Sequence, residues 1–530
     1  METNKFFRLL SFGGRSFFTF SLSIFLCLSL GACAKVGDAP LTTEPGIEGS
    51  FFAIGADVGR QRSVPLTVDF ENGTRQFVIE TSETAGYSIG KAIDGPTPEF
   101  KNEGRFFIPA SITKVVTAAL ALEAVGPDFR FTTELNFQVR ADGRTLSDLI
   151  ILSDGDPQIA DEEGEEGPGR TRIAEMVAAL KARGIKKVVG RPRLMAVDER
   201  LNLARVAEGL EDEDHLECYG AVAVAFNFNQ NCARLVVTGL RKGHWEDRGI
   251  AFPFNVQLKK ASKALLSIVP EFGADRAVIR YLVGGSWSGD PVSQKLPVPD
   301  TRAWFANAFL KELGRQGLKL EESKDVSAEG APAIQERLRI ESDPLSDLER
   351  YMNKESDNFL ADAIFKAVAV REKDKTSDLR EVASFALRES LMTWMKNQGH
   401  PEYADEVHLI DGAGLSRSNR VTPRAFLALL REFSKHPSFP VLWNSLPIAG
   451  VDGTLKNRMK KTAAEGIARA KTGTLRGAYQ LAGYIPLGDP ASPREYIPFV
   501  LLSAATAKEK DEVRAFQDKL VAKVTARLRE

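Results

Sequence analysis

Pro109-Ala110-Ser111-Ile112-Thr113-Lys114 decides the reading of this 530-residue chain. From here apolar residues recur at Ile112, Val115, Val116, Ala119, Leu120 and Leu122, the spacing of one helix face. Ser111 and Lys114, three residues apart on such a helix, share a side with Cβ atoms ~5–6 Å apart. A serine hydroxyl is a weak nucleophile until a base takes its proton, and a desolvated lysine is neutral enough to be that base. The helix start adds backbone N–H groups and a dipole that favour developing negative charge. On its own, the same spacing also describes a capping serine and a surface lysine.

Two further motifs lie downstream. Ser356-Asp357-Asn358 falls in a polar break between helical patterns over 345–353 and 359–370. Alone it reads as a turn, because these residues favour turns and caps. Lys471-Thr472-Gly473-Thr474 lies on the first of three strand-like runs, 468–474, 480–485 and 497–504. Short loops between them predict an antiparallel meander. Glycine inside a strand often marks close backbone approach, although an edge strand guarded by a lysine fits as well. An amphipathic helix is predicted over 508–528.

Other matches are weaker. Gly86-Tyr87-Ser88-Ile89-Gly90 has the pattern of a nucleophile elbow, but Asp94-Gly95-Pro96 follows where a helix is required. We read it as strand and turn. Asp154 and Asp156 resemble the start of a calcium loop, with Ile159 where glycine is needed. Acidic runs at 161–166 and 211–214 read as solvated loops.

A net charge of −1, 43% hydrophobic and 27% charged residues describe a globular chain and exclude a disordered or collagen-like one. The charge balance excludes an ordinary nucleic-acid binder. Five histidines make a His-rich metal site a poor reading, and four cysteines are too few for a disulfide-built scaffold.

Lys5, Arg8 and Arg15 precede an uncharged apolar run over 17–30, too short for a bilayer span but suited to a signal peptide. Leu30-Gly31-Ala32-Cys33 resembles a bacterial lipobox; ordinary cleavage at Ala32-Cys33-Ala34 is the alternative. The expectation is a signal peptide at 1–32, a tether at 33–50, lipid on Cys33, and an exported, periplasmic, membrane-anchored lipoprotein.

Together, in this order and in these contexts, the three motifs resemble the signature of penicillin-recognising serine enzymes. Ser111 and Ser356 are 245 residues apart, and Ser356 and Lys471 are 115 apart. That large first interval is similar to the type-4 (class C) low-molecular-mass penicillin-binding proteins, which are D-alanyl-D-alanine carboxypeptidases/endopeptidases. Further likenesses are Gly155-Asp156-Pro157, Asn227-Phe228-Asn229, 446–459 with Gly450 and Gly453, and Asp411-Gly412-Ala413-Gly414-Leu415-Ser416-Arg417. In the last, Ala413 replaces the family's serine. The resemblance runs from about residue 105 to the end.

It implies an α/β (α+β) fold: a transpeptidase-like domain, 51–135 and 298–530, with a central antiparallel sheet and helices. An inserted mixed α/β domain, 136–297, with one helix at 173–184, interrupts it. Ser111 would be the nucleophile and Lys114 its base, with Ser356 and Asn358 also catalytic. Lys471, Thr472, Gly473 and Thr474 would bind substrate. Asp198 would hold the amine of diaminopimelate, although Arg200 and Leu201 break the family's D-x-S-x-F pattern there. Cys218 and Cys232 would form a disulfide in the oxidising compartment. The implied partners are peptidoglycan stem peptides, β-lactams as inhibitors and the membrane through an N-terminal lipid, with no metal, cofactor or nucleic acid. A serine β-lactamase and a non-enzymatic peptidoglycan-sensing lipoprotein are the rival readings; a pure sensor has no need of a base.

Overall fold

The computed structural model describes residues 104–529 except 161–171, 203–206, 212, 248, 274–276, 322–333, 371–388, 390–400 and 491, and the backbone of 62–70, 73–81 and 85–89. Cys33, the signal peptide, the tether and the acidic run 161–166 lie outside the described residues.

The three predicted strands form an antiparallel meander, Arg469–Leu475, Ala478–Asp489 and Ser492–Ala504. Ala85–Ile89 adds the fourth strand, antiparallel to Ser492–Ala504. Ser88 is therefore a strand residue, and the two ends of the chain meet in one sheet. Successive side chains on a strand face opposite ways. Ala482, Tyr484, Val500 and Leu502 enter a core shared with Thr113–Val125, Leu345–Glu355, Asn358–Ala369, Pro423–Phe433 and Phe439–Ser445. Leu481, Ile485, Phe499 and Leu501 instead meet Leu520, Val521 and Val524 of the C-terminal helix Lys510–Arg529. A sheet covered on both faces explains the near-continuous apolar runs of its strands.

The helix after Ser111 departs from the amphipathic reading. A 3₁₀ turn, Ala110–Ile112, leads into the helix Thr113–Val125, and every residue from Thr113 to Leu122 is buried. It runs through the core, and Thr113, Lys114 and Thr117 are inside with the leucines and valines. Polar side chains there require internal partners. Thr113 donates to the Ala110 carbonyl at 2.9 Å and Thr117 to the Gly412 carbonyl at 2.7 Å.

The interval after this helix builds a second core around a six-stranded mixed sheet. Its strand Thr132–Val139 pairs with Thr145–Ser153 on one side and with Ile334–Glu341 on the other. The helices Arg172–Ala182 and Arg302–Arg315 pack into that core through Ile173, Met176, Trp304, Phe305 and Phe309. A boundary at 297 would cut Arg302–Arg315 and Ile334–Glu341 away from the sheet and core they complete. Two smaller sheets, centred on Cys232–Gly239 and Val278–Trp287, fill the rest of the interval.

Asn358–Ala369 joins the two cores. Its Phe359, Leu360 and Ile364 lie in the first and its Phe365 and Ala369 in the second. On the same helix Lys366 and Asp362 form a buried ion pair at 3.0 Å. Asp362 accepts from the Ala223 N–H at 2.9 Å, and Lys366 donates to the Ala223 carbonyl at 2.6 Å. Both charges are thereby paired and hydrogen-bonded, which burial demands. Through them the insertion is tied to the helix that opens with Asn358.

Candidate active site

The structure brings together Ser111, Lys114, Ser356, Asn358, Lys471, Thr472, Gly473 and Thr474. Ser111 is placed by a backbone turn that starts at Ala110, whose φ of +50° lies in the left-handed region. Gln480 secures the approach: its amide donates to the Ile108 carbonyl at 2.5 Å and accepts from the Ser503 N–H at 2.7 Å.

Lys114 is fully buried. Its Nζ is 2.6 Å from Asn358 Oδ1, 2.6 Å from the Ala413 carbonyl and 3.1 Å from Ser111 Oγ. A neutral amine has two N–H groups and one lone pair. The two short contacts are to oxygens that only accept, so they take the N–H groups. The lone pair is left for the Ser111 hydroxyl. Burial lowers the Lys114 pKa to about 7, against the opposing pull of Asp411 and Asp357. The amine is therefore half deprotonated near neutral pH, where a general base works best.

Asn358 is the first residue of its helix, and Asp357 caps it by accepting from the Leu360 N–H at 2.8 Å. The turn between the two helices has Ser356 at φ +62°, uncommon for a residue with a Cβ. That turn sets the Ser356 hydroxyl 2.8 Å from Lys471 Nζ, which also donates to the Thr472 carbonyl at 2.9 Å. Burial, and then the charge on Lys114, push the Lys471 pKa down. Two ammonium groups in one buried site oppose each other, and deprotonation of Lys114 relieves Lys471.

Gly473 lets the strand lie against the serine turn. A Cβ there would come 2.7 Å from the Pro109 carbonyl oxygen and 3.2 Å from Ala110 Cβ. The close approach expected of a strand glycine is thus to the chain's own Pro109-Ala110-Ser111 turn. On either side, Thr472 Oγ1 donates to Thr454 Oγ1 at 2.8 Å, and Thr474 Oγ1 accepts from Arg514 at 3.3 Å.

Other contributors carried no assigned role in the sequence. Asp411 accepts from the N–H groups of Ala413, Gly414, Leu415 and Ser416, and this nest aims the Ala413 carbonyl at Lys114. The position works through its backbone, so alanine serves where the family has serine. Gly414, at φ +83°, lies so close to Ala110 that no Cβ would fit. Lys354 pairs with Asp452 at 2.6 Å, locking the helix before Ser356 to the 446–459 stretch.

The insertion forms one wall. Tyr219, beside Cys218, accepts from Asn358 Nδ2 through its carbonyl at 3.1 Å. A small cavity beside Asn358 is lined by Leu210, Tyr219, Val222, Ala413 and Leu415. The structure joins Cys218 to Cys232, with Cα atoms 5.6 Å apart. The acidic run 211–214 is not simply solvated. Glu211 bridges Arg417 at 2.7 Å and Arg476 at 2.9 Å, and these hydrogen bonds hold its carboxyl below the usual range despite partial burial. Asp214 is buried and accepts from the Tyr219 hydroxyl at 2.7 Å. The pairings of Glu211 with Arg417 and Arg476 are long-range and leave no signal in the sequence.

Asp198 is held differently. The Arg200 guanidinium grips its carboxylate at 3.0 and 2.8 Å, and the Arg200 N–H donates to it at 2.9 Å. The arginine that breaks the family pattern is the one that occupies this carboxylate.

Residues 81–525 match the D-Ala-D-Ala carboxypeptidase 3 (S13) family. The chain belongs to that family. Its activity is accordingly that of a serine-type D-Ala-D-Ala carboxypeptidase. It is 29% identical over 458 residues to a D-alanyl-D-alanine carboxypeptidase of Actinomadura sp. (strain R39), spanning 81% of this chain and 80% of that protein. It is 28% identical over 395 residues to the D-alanyl-D-alanine carboxypeptidase DacB of Haemophilus influenzae, covering 72% of this chain and 78% of that protein. The crystal structure of penicillin-binding protein 4 (dacB) from Haemophilus influenzae superposes with a TM-score of 0.63 at 24% identity, over 83% of this chain and 96% of that one. That likeness establishes the fold: a mixed α/β architecture with a central antiparallel sheet, helices and inserted sheets. The same Haemophilus influenzae protein has also been crystallised with a β-lactam.

Proposed function

We propose that the S13 activity of this chain is exerted on the D-Ala-D-Ala termini of peptidoglycan stem peptides through an acyl-Ser111 intermediate, and that β-lactams acylate the same oxygen. The chief support is the lone pair of Lys114, aimed at Ser111 because both amine protons are already committed.

Lys114 takes the Ser111 proton as Oγ attacks the carbonyl carbon of the penultimate D-Ala. The N–H groups of Ser111 and Thr474 receive the oxyanion. The proton passes from Lys114 through Ser356 to the amine of the departing D-Ala, and the C–N bond breaks. Asn358, which orients Lys114 through Oδ1, also hydrogen-bonds the acyl side of the substrate. Thr472 and Thr474 hold the terminal carboxylate in the field of Lys471. Water, deprotonated by the same base, then attacks the ester, releasing the shortened peptide and restoring Ser111. No step requires a metal or an organic cofactor.

The carboxypeptidase reaction is the main one in this proposal. Cleavage of D-Ala-diaminopimelate cross-links through an amine held by Asp198 would require Arg200 to release that carboxylate. We further propose that Cys33 carries lipid and that the chain works from a membrane surface in the periplasm.

The test is labelling with a fluorescent penicillin, peptide mapping of the adduct, and assay of D-Ala release from a pentapeptide. The expected adduct is on Ser111, long-lived, and lost together with D-Ala release in Ser111→Ala. An adduct elsewhere, an active Ser111→Ala protein, or rapid penicillin turnover without D-Ala release would refute the proposal.

A further inference from the structure

Arg514 belongs to none of the three motifs, yet it touches the last residue of one. It lies in the C-terminal helix Lys510–Arg529, and its Nη2 donates to Thr474 Oγ1 at 3.3 Å. Thr474 pairs with Tyr479 across the hairpin. Gln517, one turn beyond Arg514, donates to the Tyr479 carbonyl at 2.9 Å. Arg458 donates to the Arg514 carbonyl at 3.3 Å and to Asp518 at 2.7 Å. The helix is thus held against the hairpin by contacts around Arg514. Among the described residues no carboxylate pairs with its guanidinium, which is only partly buried.

We infer that Arg514 is a specificity-determining residue of this site, its guanidinium receiving the terminal carboxylate of the substrate jointly with the Thr474 hydroxyl. The inference rests on the function proposed above and adds a cation in direct contact with the carboxylate. Carboxylate recognition needs a cation that stays charged. Lys471 is fully buried and spends two N–H groups on Ser356 and the Thr472 carbonyl, so it reaches the carboxylate through its field and not by a fork of hydrogen bonds. A guanidinium cannot lose its proton in a protein, and its planar fork matches a carboxylate. By donating to Thr474 Oγ1, Arg514 also turns that oxygen into an acceptor and leaves its O–H free to donate to the incoming carboxylate. An S13 carboxypeptidase cleaves next to a free carboxylate, so a fixed cation here would exclude chain-internal peptide bonds.

The experiment compares full-length wild type, Arg514→Gln and Arg514→Lys, using benzylpenicillin, its methyl ester and a D-Ala-D-Ala peptide. With Arg514→Gln, acylation by the acid should slow and KM for the peptide should rise, each ~10–100-fold, while the ester and kcat change less than about twofold. Arg514→Lys should recover part of the loss. Equal losses on acid and ester would mean a structural role, and unchanged kinetics would mean no role; either overturns the inference while leaving the S13 site intact. A wild-type protein acylated by neither reagent would remove the proposed function and this inference together.

Discussion

Gly473 packs directly on the carbonyl of Pro109: a Cβ at 473 would stand 2.7 Å from that oxygen. The strand that carries Lys471-Thr472-Gly473-Thr474 and the turn that carries Ser111 are therefore in van der Waals contact through bare backbone. Gly473→Ala must push them apart. Misplacement of this order costs ~10²-fold in rate. Penicillin acylation by Gly473→Ala should fall by about that factor with the circular dichroism spectrum unchanged; a variant as fast as wild type would show that the two segments are not rigidly coupled.

Lys114 should reveal itself in the pH dependence. Its pKa is lowered to about 7 by burial, and only the neutral amine accepts the serine proton. Acylation should rise with pH and level off above about 7. Lys114→Met should lose the rise and ~10²–10⁴-fold of the rate. The same shift affects stability. Between about 7 and 10.5 the unfolded chain holds a proton on this lysine that the folded chain has released. The unfolded state binds more protons in that window, so the contribution of Lys114 to stability increases as pH rises. Chemical denaturation from pH 7.5 to 10 should show a steeper rise in wild type than in Lys114→Met, where the buried Lys471 still contributes its own part of the slope.

The buried pair Asp362–Lys366 should matter more for stability than surface ion pairs, which are worth ~0–1 kcal/mol. Lys366→Met removes the buried ammonium paired with the Asp362 carboxylate and abandons the Ala223 carbonyl. A loss of ~3–5 kcal/mol is expected, read as a shift in the urea midpoint. A shift below about 1 kcal/mol would place the pair among the ordinary surface bridges.

Cys218 and Cys232 close a loop that includes Tyr219, the residue whose carbonyl meets Asn358. Reduction should cost ~3 kcal/mol in the chain-entropy model. It should also slow acylation, because one wall of the site loosens. Alkylation of both cysteines in unreduced protein would contradict the pairing.

Lipid on Cys33 predicts that Cys33→Ala leaves the membrane fraction for the soluble one. Stable anchoring needs more than one acyl chain, as a lipidated N-terminal cysteine carries. Equal membrane retention of the mutant would refute lipidation as the anchor.

Much of this was legible in one dimension. Ser111 and Lys114 are one helical turn apart, and Ser356-Asp357-Asn358 and Lys471-Thr472-Gly473-Thr474 are contiguous, so local geometry alone sets the spacing inside each motif. Short apolar runs bounded by turn residues likewise announced the terminal meander, and period-3.6 patterns the helix pair around Ser356 and the C-terminal helix, because short-range sterics and burial along each element govern them. What the sequence could not determine is how the motifs meet. The contacts that commit the Lys114 protons come from Asn358 and Ala413, 244 and 299 residues away, and only packing brings them to one nitrogen. Burial is also collective: the helix after Ser111 carries an amphipathic spacing, yet it is enclosed on all sides once the insertion and the sheet close around it. That enclosure removes water from Lys114 and so sets its basicity. The role of Ala413 was invisible because a carbonyl is common to every residue, and the grip of Arg200 on Asp198 because a charge pair depends on rotamers rather than on order along the chain.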